Sequence, residues 1–96
     1  MCAISSKVKK IVWARDNERC IFCGSHYAMP NAHAIKSRAN GGLGIEKNIV
    51  TACIVCHNAM DQSIARPRYL KYAREYLENI YGPIDESEVV YDKSRC

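Results

Sequence analysis

The sequence predicts a small α+β domain, and three observations support this fold class. The chain has 96 residues, a length typical of one domain. Helical and strand patterns succeed one another along it, with a glycine-rich turn between the two strand candidates. Four of its six cysteines form two C-x2-C pairs, Cys20/Cys23 and Cys53/Cys56. Because a domain this small buries little surface, we expect these pairs to staple it through a metal ion.

The order of the elements follows from periodicity and from capping residues. Ser5 or Ser6 can cap the first helix, Pro67 suits the first turn of the last one, and Gly82 ends it. A turn rich in glycine, 41–44, separates the two strands. The predicted elements are a helix over 5–17, strands over 31–37 and 48–52, and helices over about 57–64 and 67–81.

Charge divides the chain into a basic body and an acidic end. Residues 1–74 hold twelve Lys or Arg against four Asp or Glu, a net charge of +8, while residues 75–96 have a net charge of −4. A basic body favours a polyanion partner, although a solvated basic face has the same composition. We therefore predict one domain over 1–84, with its core motif over 20–64, and an acidic, mobile tail over 85–96.

The two C-x2-C pairs predict one structural zinc site. Four thiolates give the closed tetrahedral coordination that structural zinc prefers, and they leave no position open for a substrate. Four ordinary buried thiols, or a redox C-x-x-C motif, are the alternatives, and the paired spacing argues against both. Cys2 and Cys96 remain unassigned, as free thiols or as sites of oxidative crosslinking.

Two further sets of residues are candidates for chemistry. His57 and Asp61 are four residues apart on a predicted helix, so they share a face and can bind one divalent ion together. His33 lies in the first strand, where a neutral imidazole can accept a proton from water near physiological pH. Taken alone, each set also fits a structural role, as a surface ion pair and as a strand histidine.

In combination these residues resemble the HNH endonuclease family, whose ββα-metal motif lies between two zinc knuckles in many members. The resemblance covers roughly residues 5–65, and the glycine-rich turn is similar to that of HNH proteins carried by bacteriophages. The stretches that carry it are Cys20-Ile21-Phe22-Cys23, Ala32-His33-Ala34-Ile35-Lys36-Ser37-Arg38, Gly41-Gly42, Asn48-Ile49-Val50 and Cys53-Ile54-Val55-Cys56-His57.

The resemblance implies a role for each matching position. His33 corresponds to the general base that activates water, and Asn48 to the residue that ties the loop and orients this base. His57 corresponds to a ligand of the catalytic divalent ion, and Asp61 to a second helical ligand. Many relatives carry a metal-binding Asp or His where this chain has Ala32. A site with fewer protein ligands suits Mg²⁺ or Mn²⁺, which keep several waters, with Ni²⁺ or Zn²⁺ as alternatives.

Contacts to DNA are expected from basic side chains outside the motif. We expect Trp13 and the six tyrosines to serve the core or its rim rather than to stack on bases, and no pattern predicts base-specific readout. The candidates for phosphate contacts are Lys36, Arg38, Arg66, Arg68, Lys71 and Arg74. For the last four, which cluster at the start of the last predicted helix, a solvated helix face is the alternative.

The sequence thus predicts an endonuclease that hydrolyses DNA phosphodiester bonds, by nicking or by double-strand cleavage. The resemblance implies products with 5′-phosphate and 3′-hydroxyl ends, and a place in phage DNA processing beside packaging proteins. Without a membrane span or a secretory signal, we expect it in the cytosol, that of a bacterial host if it is phage-encoded. The alternatives are a non-catalytic zinc module that binds DNA or protein, and a nuclease that acts on RNA.

Overall fold

A computed structural model describes residues 4–36 and 41–90 of the chain, and Cys2, Arg38 and Cys96 therefore lie outside the described residues. Within these ranges the chain forms a small α+β fold with a two-stranded antiparallel sheet. The elements in chain order are α1 (Ser6–Arg15), β1 (Ala28–His33), β2 (Ile49–Cys53), α2 (Ile54–Gln62), α3 (Arg66–Tyr81) and a short 3-10 helix (Glu86–Glu88).

The hairpin differs from its prediction in the position of β1. This strand begins at Ala28, three residues before the predicted start, and ends at His33. The residues before Asn31 are expected from the sequence to form a loop that includes Pro30, and proline cannot donate a ladder hydrogen bond. Here Pro30 lies in the register shift between Met29 and Ala32, an irregularity where a missing donor is tolerated. Strand β2 has all five residues buried and pairs antiparallel with β1.

The caps of the helices explain where they begin. Ser5 caps α1 as one of the two predicted residues, with its Oγ accepting from the Val8 amide at 3.2 Å. Helix α2 begins at Ile54 rather than near His57, because the Cys53 side chain serves as its N-cap and accepts from the Cys56 amide at 3.4 Å. A sulfur atom is a weak acceptor and no usual N-cap, so sequence patterns did not predict this start.

The first part of the predicted acidic tail belongs to the folded domain. Val89 is fully buried, and its carbonyl accepts from the Leu43 amide at 2.7 Å. Val90 forms an isolated antiparallel bridge with Gly42, and Asp85 and Glu88 form a capping box around the 3-10 helix. The residues up to 90 therefore close over the glycine-rich turn, while residues 91–96 lie outside the described ranges.

A buried ionic network joins α1, β2 and α3. Asp16 is 3% exposed, and its carboxylate accepts from Arg15 at 2.8 and 3.0 Å, from the Thr51 amide at 2.8 Å and from the Tyr76 hydroxyl at 2.6 Å. Arg15 also donates to the carbonyls of Glu46 and Ile49, each at 2.7 Å. Burial, followed by the bond to Asp16, raises the pKa of Tyr76, so its hydroxyl remains a donor at neutral pH.

Among residues 4–36 and 41–90, no helix is both long enough and apolar enough to cross a bilayer.

The network predicts that Asp16→Asn destabilises the fold strongly. The amide cannot accept at both ends, and it leaves the Arg15 guanidinium without its counter-charge, so the free energy of unfolding should fall by about 3 kcal/mol. Tyr76→Phe, which removes one donor, should cost about 1.5 kcal/mol. Urea unfolding followed by Trp13 fluorescence measures both. The exposed Glu75→Gln on α3 is the control, and an equal effect from this control would contradict the role of the network.

Candidate metal centre and neighbouring site residues

The four paired cysteines converge at one place in the fold. Cys20 and Cys23 lie on the loop after α1, Cys53 ends β2, and Cys56 lies in the first turn of α2. Their sulfur atoms all lie within 4.8 Å of one another, and the Cys23 and Cys53 sulfurs are 3.5 Å apart. The structure therefore brings together all four residues that the sequence assigned to the zinc site.

The backbone around the first pair fixes its position against the sheet. The Ile21 amide donates to the Thr51 carbonyl of β2 at 3.1 Å, and the Cys20 amide donates to the Ser25 carbonyl at 2.8 Å. Gly24 has a φ of 79°, a conformation that glycine adopts without steric cost, and its amide bonds back to Cys20. This tight turn holds two sulfurs facing β2 and α2.

The geometry fits a tetrahedral metal ion. With zinc–sulfur bonds of about 2.3 Å, four tetrahedral ligands lie about 3.8 Å apart, so the observed sulfurs need to move by less than about 1 Å. Three of the cysteines are buried and Cys23 is exposed. Because all four ligands are thiols, such an ion would be structural, since no coordination position remains for a substrate.

The thiols are not equivalent in their acidity. Burial by itself raises the pKa of Cys20, but hydrogen bonds from the backbone, led by Cys53 and Cys23, outweigh it and lower the pKa to about 7. Burial and the neighbouring thiols raise the pKa of Cys56 well above its ordinary value. Backbone donors thus favour the thiolate form of Cys20, and a bound divalent cation would neutralise its negative charge.

Asn48 fastens the glycine-rich turn to the end of β1. Its side chain is fully buried, and Oδ1 accepts from the Ile35 and Lys36 amides, both at 2.9 Å. Nδ2 donates to the carbonyls of Lys36 at 3.0 Å and Leu43 at 2.9 Å. All four hydrogen-bonding positions of the amide are used. The backbone that follows His33 is therefore held in one conformation.

His33 is the last residue of β1 and pairs with Ile49. Its side chain is half-buried, and the Nε2 atom is enclosed. The preceding Ala32 is 1% exposed and packs in the core. Because neighbouring side chains of a strand point to opposite faces, His33 faces away from that core.

His57 and Asp61 form the pair that their spacing predicts. His57 Nδ1 lies 3.6 Å from Asp61 Oδ2, and the two side chains are 30% and 58% exposed. A groove of about 280 Å³ in front of His57 is also lined by Asn31 and Ala52 of the hairpin. In the part of the chain that the structure describes, no third His, Cys, Asp or Glu joins this pair, and only the cysteines gather three or more such ligands.

The basic residues predicted to contact DNA divide into two groups. Arg74 donates to the Ile84 carbonyl at 2.8 Å and lies 3.8 Å from Glu78, and Lys36 lies 4.0 Å from Glu86. The others on α3 are exposed, and within the described ranges no carboxylate pairs with them: Arg66, Arg68 and Lys71. This second group keeps its charge available to a ligand.

Sequence patterns did not predict an aromatic cluster that lies beside the cysteines. The ring of Phe22, which lies between Cys20 and Cys23, is 4.9 Å from the Tyr69 ring and 5.4 Å from the Tyr72 ring. The negative charge of Cys56, followed by burial, raises the pKa of Tyr69. The available signal was the i, i+3 spacing of the two tyrosines, which places them on one helix face, but the contact with Phe22 depends on the tertiary fold.

The cysteine cluster predicts one zinc ion per chain that is required for folding. Elemental analysis of purified protein should give about one zinc per chain, and Cys56→Ser should lose zinc and cooperative thermal unfolding together. Co²⁺ exchanged into the site should show the absorption bands of a tetrahedral tetrathiolate centre. Zinc content and unfolding unchanged in Cys56→Ser would contradict the site.

A scan against protein-family models, a search of curated proteins and a search of solved structures each found no match.

Proposed function

We propose that the chain is a metal-dependent endonuclease of the HNH type that hydrolyses DNA phosphodiester bonds, with His33 as the general base. The observation that carries the proposal is the four-bond anchoring of Asn48, which fixes the backbone immediately after His33. A general base needs a defined position, because proton transfer requires hydrogen-bond distance to the attacking water. Asn48 acts in this proposal as a positioning residue.

The order of the surrounding elements also supports the proposal. A hairpin carrying His33 and Asn48 leads directly into α2, which carries His57 and Asp61. The cysteine cluster joins the segment before β1 to the middle of this unit, since Cys20 and Cys23 precede β1 while Cys53 and Cys56 span the β2–α2 junction. A strand–strand–helix unit with these residue types is the arrangement that the family resemblance implies.

The roles of the chain's own residues follow from their chemistry. The His33 imidazole accepts a proton from water as that water attacks the phosphorus atom, while the P–O3′ bond breaks and the leaving 3′ oxygen takes a proton from solvent. His57 and Asp61 would hold a divalent ion, with Mg²⁺ or Mn²⁺ suited to two protein ligands and several waters. When bound, such an ion neutralises charge that develops on the scissile phosphate. The products would carry 5′-phosphate and 3′-hydroxyl ends, and a place in phage DNA processing stays a prediction.

A non-catalytic zinc module that binds DNA or protein is the second candidate, and one observation favours it. Where many HNH proteins carry an additional metal ligand, this chain has Ala32, which is buried and offers no donor atom. The His57–Asp61 pair is partly exposed and has no third ligand among the described residues. The cysteine cluster and the basic surface would suffice for this second function.

The histidines allow a matched test of the base. We expect purified wild type to nick or linearise supercoiled plasmid with added Mg²⁺ or Mn²⁺, and His33→Ala to reduce the rate at least 100-fold. The control is His26→Ala, an exposed histidine outside the hairpin, which should cleave as wild type does. Zinc content and circular dichroism establish that all three proteins are folded. If wild type and His33→Ala are equally inactive while both bind DNA, the non-catalytic module is favoured.

The His57–Asp61 pair on α2 predicts how the cleavage rate depends on Mg²⁺ concentration. Asp61→Asn removes one charged ligand, so half-maximal cleavage should need about tenfold more Mg²⁺, with the rate largely restored at saturation. Cleavage measured across a Mg²⁺ titration checks this. An unchanged titration curve would show that Asp61 does not bind the ion. Matched DNA and RNA substrates in the same assay separate a DNA nuclease from an RNA nuclease.

A further inference from the structure

An open aromatic groove lies between the first cysteine pair and α3. It has a volume of about 380 Å³, and its lining includes the rings of Phe22, Tyr69 and Tyr72 with Arg68 at the edge. Tyr72 is 50% exposed, and the Phe22 ring is tilted by 59° and 45° relative to the two tyrosine rings. The groove therefore presents aromatic surface to solvent instead of burying it in the core.

Charge around the groove favours an anionic ligand. Arg68 lies one turn before Tyr72 on α3, so these two share a face, and Lys71 lies next to Arg68 on the adjoining side of the helix. Neither cation pairs with a carboxylate in the described residues, unlike Arg74 further along the helix. Glu75 is on the same face one turn beyond Tyr72, and it marks the end of the cationic stretch. An extended polyanion can thus follow the helix from its N-terminal end.

The interior of the groove suits a neutral flat group better than a phosphate. Phe22, which lines the groove, lies between Cys20 and Cys23 of the cysteine cluster, and its ring centre is 4.9 Å from that of Tyr69. If the four cysteines bind zinc, their thiolates would leave a net negative charge beside this part of the groove, which would repel a phosphate there. Arg68 lines the groove and Lys71 lies outside its lining, and both side chains are exposed. A nucleotide satisfies both conditions, with its base among the rings and its phosphate near Arg68 and Lys71.

We propose that the groove formed by Phe22, Tyr69 and Tyr72 binds an unpaired base of single-stranded nucleic acid, with Arg68 and Lys71 contacting the flanking phosphates. A paired base inside a duplex does not present its face, so the groove selects single-stranded or frayed segments. The sequence predicts a core or rim role for the tyrosines, whereas in this proposal Tyr72 stacks on a base. Like the proposed function, this inference concerns nucleic acid, but strand binding requires no cleavage.

Binding without added Mg²⁺ tests the proposal independently of the nuclease activity. Zinc-loaded protein is titrated into a fluorescein-labelled 12-nucleotide dT strand, its rU counterpart and a 12-base-pair duplex, and anisotropy is recorded. We expect the single strands to bind more tightly than the duplex, and Tyr72→Ala to weaken single-strand binding about tenfold with little effect on the duplex. The DNA and RNA strands decide which nucleic acid is preferred.

Two controls separate stacking from a general surface effect. Tyr72→Trp keeps an aromatic face and should retain the affinity, while Ile80→Ala removes another half-exposed apolar side chain of α3, 45% exposed, outside the groove and should change nothing. The proposal is overturned if Tyr72→Ala binds single strands as tightly as Ile80→Ala does, or if no single strand binds. In that case the groove is left to a peptide partner. Loss of cleavage in His33→Ala with intact strand binding would leave this proposal standing.

Discussion

The constraint on which the rest of the structure depends is the convergence of four cysteine sulfurs within 4.8 Å. It connects the loop after α1 to the junction of β2 and α2, two segments about thirty residues apart in sequence. Cys53 has a second function, because its sulfur caps α2 and so determines where that helix begins. The direction in which α2 presents His57 and Asp61 therefore follows from the same residue that belongs to the candidate metal centre.

Buried polar side chains add stability and specificity that the small apolar core does not supply. Several core residues are alanines, including Ala32, Ala34 and Ala52, so the elements approach closely but bury limited apolar surface each. Asp16 and Asn48 are buried, and each forms hydrogen bonds with residues more than ten positions away in sequence. Such groups are costly when unpaired, and their complete pairing favours one arrangement of the chain over others.

The two proposed sites lie on different elements of the fold and use different groups. The hairpin and α2 carry the candidates for proton transfer and ion binding, whereas the first cysteine pair and α3 form the aromatic groove. The cations differ in availability, because Arg74 and Lys36 pair with nearby carboxylates while Arg68 and Lys71 do not pair with any in the described residues. If both proposals hold, the protein would bind a frayed strand through α3 and hydrolyse a phosphodiester bond near the hairpin.

By itself the sequence identified the four cysteines that cluster, the α+β class and the shared helix face of His57 and Asp61, because spacing within a knuckle or a helix turn is local geometry. It misplaced β1 and the start of α2, since a bulge at Pro30 and a cap by a cysteine sulfur break the usual local rules. Tertiary structure alone decided the partners of Asp16, the packing of residues up to Val90 and the contact of Phe22 with Tyr72. Each of these joins residues far apart along the chain, and only the packing of complete elements brings them within reach.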